Sequence, residues 1–179
     1  MRYSAYVFSV LALLAFLTGA GISSAGEDHD VPPIAGSKEL QKMKSLEGSW
    51  HGVTVEDGKE TPVTVTYETS SNGSAVVETL FPGTPHEMVS VYYDDKGKLS
   101  MTHYCAVGNQ PHFTLGESNA NGMTLVFAGG SNIDPAKDGY MNGVSLDFEG
   151  GDKMVQKWTY FQGGKETGTT SFTLSRVSR

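Results

Sequence analysis

Internal disulfides are excluded at the outset, because the 179 residues contain a single cysteine, Cys105. Stability has to come from packing. Basic side chains are also scarce. Lys and Arg number 13 against 20 Asp and Glu, a formal net charge of −7 at pH 7, and an acidic surface repels nucleic acid and anionic lipid, so neither is expected as a partner. The chain has no serine-hydrolase elbow, phosphate-binding glycine loop, zinc-protease helix or dinucleotide fingerprint. It has no internal repeat of useful length. Beyond residue 17 no apolar run approaches the roughly 20 residues that a membrane span requires, so no membrane insertion is expected.

The N-terminus carries a different signal. Arg2 precedes an apolar run from Tyr6 to Leu17, and Ser23-Ser24-Ala25 supplies the small residues a signal peptidase needs. Residues 1–25 read as a secretory signal peptide, its apolar run too short for a membrane span. Cleavage after Ala25 removes Arg2 alone among the charged residues and leaves enough chain for one domain with a core. No cysteine follows the run, which excludes lipoprotein acylation. Export without disulfides fits a bacterial periplasm. Residues 26–36 are acidic and proline-containing, and they read as a mobile leader. Cleavage after Gly26 instead would place His29 third behind a free amine, a pattern that wraps copper(II) or nickel(II); cleavage after Ala25 makes it fourth.

The domain is expected over 37–179. Ser37 can cap a helix over 37–46, in which Leu40, Met43 and Leu46 recur at helical spacing and the lysines fall toward the C-terminal half. From Trp50 onward the pattern changes to short alternating segments: 50–56, 62–69, 75–81, 86–93, 98–105, 111–118, 123–128, 139–148, 153–161 and 167–176. Between them lie explicit turns, among them Ser71-Asn72-Gly73, Asp94-Asp95-Lys96-Gly97, Asn121-Gly122 and Gln162-Gly163-Gly164. An antiparallel meander of this length is most stable when closed. The fold class is therefore all-β, an up-and-down antiparallel barrel of about 8–10 strands with one short N-terminal helix, and such a barrel has room for a small ligand. The segment 128–139 is the longest irregular stretch, suited to a short helix or a lid.

One stretch carries a hint of chemistry, Met101-Thr102-His103-Tyr104-Cys105-Ala106-Val107-Gly108-Asn109-Gln110-Pro111. Strand alternation puts Leu99, Met101, His103 and Cys105 on one face and Ser100, Thr102 and Tyr104 on the other. The first set is largely apolar and faces inward, so an imidazole and a thiol enter the interior two residues apart. Buried groups of this kind need partners; for His103, Asn109 or Gln110 is the expected neighbour. A His-x-Cys pair supplies two metal ligands where zinc needs three or four, and His86, His112 or an acidic residue would have to complete the set. Cys105 would need a nearby base to act as a nucleophile.

Leu46-Glu47-Gly48-Ser49-Trp50-His51-Gly52, a helix running into Gly-x-Trp, resembles the opening of the lipocalin-like (calycin) barrels, over about residues 37–177. The resemblance implies that Trp50 closes the barrel base and that Arg176 packs across it, with Gly48 as a structural position. The Thr102-His103-Tyr104-Cys105 and Gly108-Asn109-Gln110-Pro111 segments are similar to uncharacterised secreted bacterial proteins with lipocalin-like domains, which transfer no activity. The nitrobindin-like barrels share Gly-x-Trp-x-Gly, but they hold haem through a late histidine. This chain has none after His112, so haem would have to use His103.

These readings converge on a barrel that binds a small, largely apolar molecule, with no cofactor required. His103, Tyr104, Cys105, Asn109 and Gln110 are the candidate residues for the polar end of the site. The alternatives are a small-molecule enzyme using His103 as base or Cys105 as nucleophile, and a filled barrel serving as a structural or interaction module.

Overall fold

The structure, a computed structural model, describes residues 31–56 and 58–178. The signal segment and the Glu27-Asp28-His29 pattern lie outside the described residues.

Ten antiparallel strands close into one barrel in the order β1-β10-β9-β8-β7-β6-β5-β4-β3-β2. Apart from the closing pair, every strand lies beside its sequence neighbours, the arrangement that short hairpin turns impose. The strands are β1 (Gly48–Glu56), β2 (Lys59–Ser70), β3 (Ala75–Leu80), β4 (Met88–Asp95), β5 (Lys98–Tyr104), β6 (Gln110–Asn119), β7 (Gly122–Ser131), β8 (Gly139–Phe148), β9 (Lys153–Gln162) and β10 (Lys165–Ser178). The barrel closes where β1 pairs with β10, with Gly52 opposite Leu174. A Cβ at Gly52 would fall 1.8 Å from the carbonyl oxygen of Thr173. Only glycine allows the two strands to approach this closely at the seam.

The segment 128–139 is more regular than its glycines imply. β7 continues to Ser131, and Gly130 pairs with Pro111. A Cβ at Gly130 would lie 2.7 Å from the Gln110 carbonyl oxygen, so this glycine permits a close strand contact and does not break the strand. The remaining loop is a compact turn in which Ala136 and Lys137 donate backbone N–H groups to Asp134 Oδ1 and O.

Period-two alternation fills the interior. Val63, Val65 and Tyr67 on β2, Met154 and Trp158 on β9, and Phe172 and Leu174 on β10 are all buried. Helix α1 (Lys38–Lys44) seals one end. Ser37 Oγ accepts from Leu40 N at 3.1 Å as its cap and donates to Asp94 Oδ1 at 2.8 Å, which ties the helix to the β4–β5 turn. Leu40, Met43 and Leu46 enter the core, and Lys42 Nζ lies 4.1 Å above the Phe148 ring.

Part of the expected mobile leader is bound to the domain. Ile34 N donates to Asn72 O at 2.8 Å, Asn72 Nδ2 to Pro32 O at 3.2 Å, and Lys44 Nζ to Ala35 O at 2.9 Å. The left-handed turn at Ser71 and Asn72, with φ of 52° at both, leaves backbone groups available to this segment.

Candidate functional site

At the end opposite the helix, an apolar cavity of about 170 Å³ opens among the strand ends. Leu80 at the end of β3 and Phe81 just after it supply one wall, Met88 the start of β4, and Met141 the start of β8. Trp158 of β9 and Thr170 and Phe172 of β10 face them, and His103 of β5 completes the lining. Phe81 adopts φ of 53°, a conformation that a bulky side chain seldom takes. Its N–H donates to Thr64 O at 2.9 Å, and its ring meets Phe172 edge-on with centroids 5.6 Å apart. Held backbone strain of this type concentrates at binding sites.

The His103 side chain is 1% exposed. Strand pairing places it opposite Ser90, and Ser90 opposite Glu78, and Glu78 opposite Tyr67. The four form a row across β5, β4, β3 and β2. Ser90 Oγ lies 3.0 Å from His103 Nδ1. Tyr67 donates its hydroxyl to Glu78 Oε1 at 2.7 Å, Tyr92 donates to Oε2 at 3.2 Å, and Gln156 Nε2 reaches Oε1 from β9 across the lumen. Three donors converge on the two oxygens of one carboxyl group, which can accept all of them. Burial raises the Glu78 pKa and hydrogen bonding pulls it back. Burial, followed by the Glu78 charge, holds both tyrosines well above the usual phenol range.

Ser90 engages His103 at Nδ1, which leaves Nε2 as the ring's other polar atom. Nε2 has no hydrogen-bond partner in the protein, and neither does the buried Trp158 Nε1. The two rings stack obliquely, with centroids 4.7 Å apart.

Of the five candidate residues, the structure brings only His103 into the cavity lining. Its neighbour is Ser90; the expected Asn109 or Gln110 contact is replaced because the loop after β5 carries both residues over the rim. Asn109 is buried and donates from Nδ2 to Gly139 O at 2.8 Å. Gln110 donates to Gly108 O at 3.2 Å and accepts from Asn132 Nδ2 at 3.0 Å. Tyr104 is 51% exposed on the outer face. Cys105 follows the end of β5, half-buried, with Sγ 3.9 Å from Met88 Sδ.

Among the described residues no three His, Cys, Asp or Glu side chains come together to hold a metal ion, and His86 and His112 are exposed. An apolar cavity of about 150 Å³ takes one benzene-sized ring. A porphyrin is several times larger.

Burial also makes His103 a determinant of acid stability. Its pKa falls to about 4 from the ordinary 6.5. Between these values the unfolded chain binds the proton and the folded one does not, so stability is lost as pH falls from 6.5 through about 4, by about 3 kcal/mol. Glu78, with its pKa raised, contributes in the opposite sense over the pH range above the ordinary carboxylate value. Urea unfolding of the wild type and His103→Phe at pH 6.5 and pH 4.5 isolates the histidine. The wild type is expected to lose more stability than the variant over this interval, and parallel profiles would refute the assignment.

No family model matches the chain and no curated protein matches it; what the structure does show is a closed ten-strand antiparallel barrel, consistent with the lipocalin-like fold.

Proposed function

We propose that this protein is exported to the periplasm and there binds a small, largely apolar molecule, about the size of one aromatic ring, in the cavity beside His103. The observation that carries the reading is an unpartnered, buried imidazole nitrogen among lining residues that are otherwise nearly all apolar. A core built only for stability pairs such a group or replaces it with an apolar one. Enzymatic use of Cys105 with His103 has no comparable support, because the imidazole bonds Ser90 and the thiol contacts Met88.

The test is calorimetric titration of toluene into protein recovered from a periplasmic fraction, with N-terminal sequencing expected to begin at Gly26. Toluene is expected to bind at one site with a Kd between about 1 μM and 1 mM. Thr170→Phe, which places a ring in the cavity from β10, is expected to abolish binding while leaving the far-ultraviolet spectrum unchanged. Absence of binding to the wild type, or equal binding to the variant, would refute the cavity reading.

A further inference from the structure

Side chains alternate between the two faces along β3, β4 and β5, so the burial of Glu78, Tyr92 and His103 turns Val77, Val91 and Thr102 to the outside. Cross-strand pairing sets these three side by side and extends the row by one position each way. Glu68 on β2 lies opposite Val77, and His112 on β6 lies opposite Thr102. Both end residues are exposed. The row reads carboxylate, valine, valine, threonine, imidazole from β2 to β6. Toward the cavity end Val89 stands between Thr79 and Tyr104, and toward the helix end Tyr93 stands between Ala75 and Ser100. None of the nine positions between Glu68 and His112 in these three rows carries a charge.

We propose that this face is the interface of a homodimer, two copies packed face to face about a two-fold axis parallel to β4 and passing over Val91. The chain has a formal net charge of −7, so two copies repel each other unless they meet at a face without charge. Two placements of an in-plane axis bring this face against its own copy. An axis perpendicular to the strands stacks Glu68 on Glu68 and His112 on His112. An axis along β4 exchanges the ends of the row, so that each Glu68 meets the other copy's His112, a carboxylate against an imidazole, and Val91 meets Val91. The barrel wall curves away from the partner on either side of β4, and the row carries its longer side chains at those ends. With strands about 4.8 Å apart and about 3.3 Å per residue, the face covers about 450 Å² a side, or about 900 Å² for both copies. That is the size of a reversible interface and falls short of a permanent one.

Sedimentation equilibrium of the purified protein, over about 1–500 μM at pH 6 and low salt, reads the association directly. The wild type is expected to dimerise with a Kd between about 1 and 100 μM. Val91→Lys sets two ammonium groups against each other on the axis and is expected to raise the Kd at least about tenfold. His112→Glu sets carboxylate against carboxylate and is expected to raise it about fivefold or more. Adding Glu68→Lys to that variant restores opposite charges and is expected to return the Kd to within about twofold of the wild type. A wild type that stays monomeric at about 500 μM, or a Val91→Lys protein that dimerises as tightly as the wild type, would overturn the interface. A double variant no tighter than His112→Glu would overturn the pairing of Glu68 with His112, and the axis with it. Glu68 and His112 are exposed, so the wild-type and charge-swap measurements decide the matter even if Val91→Lys does not fold.

Discussion

Glu78→Ala is expected to destabilise the barrel by about 4 kcal/mol, a larger loss than any other single truncation in the lumen. The carboxylate is the common acceptor for Tyr67 on β2, Tyr92 on β4 and Gln156 on β9. Alanine strands all three donors in an interior where each unsatisfied group costs about 1–3 kcal/mol, partly offset because a buried charge is removed along with its desolvation penalty. Glu78→Gln keeps a carbonyl acceptor at nearly the same place and is expected to lose less than half as much. The triple variant Glu78→Leu, Tyr67→Phe, Tyr92→Phe removes the charge and two of its donors together and is expected to recover about half of the loss, since Gln156 alone is then left without its acceptor. Urea unfolding midpoints with unchanged slope would establish the series. A loss under about 1 kcal/mol for Glu78→Ala would mean that the tyrosines and Gln156 are satisfied without the carboxylate.

The same network shows where the sequence is legible and where it is not. Period-two alternation marks the buried phase of β2, β9 and β10, and β8 runs over Gly139–Phe148, the range expected from the sequence. Tyr67 and Gln156 lie in those buried phases, but their shared partner was not apparent. Glu78 stands between Val76 and Leu80 in the inward phase of β3, all three buried. A carboxylate at an apolar phase of a strand is the local signal that could have found it. Its partner on β9 comes from barrel closure, 78 residues along the chain, and no local pattern reports that. The Ser90–His103 pair was closer to reach. Lys96 and Gly97, with φ of 52° and 81°, make the two-residue hairpin turn that sets Asp95 opposite Lys98. Counting back from that turn places Ser90 opposite His103. Adjacency in sequence suggested Asn109 and Gln110 instead, and the turn after Cys105, closed by Gly108 N donating to Cys105 O at 2.9 Å, takes them to Gly139 and Asn132.

Arg176→Ala is expected to lower the melting temperature by about 6–12 °C, corresponding to a loss of about 3 kcal/mol in a domain of this size. The guanidinium lies 4.4 Å from the Trp50 ring centroid, and the side chain is 7% exposed. Its NH2 donates to Ser45 O at 2.7 Å, and its NH1 donates to Leu46 O at 3.1 Å and to Glu47 O. These are carbonyls at the end of α1 that no helical N–H can satisfy, at the end where the helix dipole favours a cation. On its other side, Nε donates to Asp152 Oδ1 at 2.9 Å and NH2 to Gly151 O at 3.3 Å, in the β8–β9 turn. One planar cation thus joins the helix end, the first strand, the last strand and a turn. The exposed Asp152 pair contributes little by itself; the carbonyls and the indole face account for most of the loss. Arg176→Lys retains the charge, but a single ammonium cannot span these groups, so it is expected to recover less than half of the loss. Because Arg176 sits at the helix end and the cavity at the other, toluene affinity well below the melting temperature is expected to match the wild type. A melting temperature within about 2 °C of the wild type would show that the base closes without the arginine, and a changed toluene affinity would show that the two ends of the barrel are coupled.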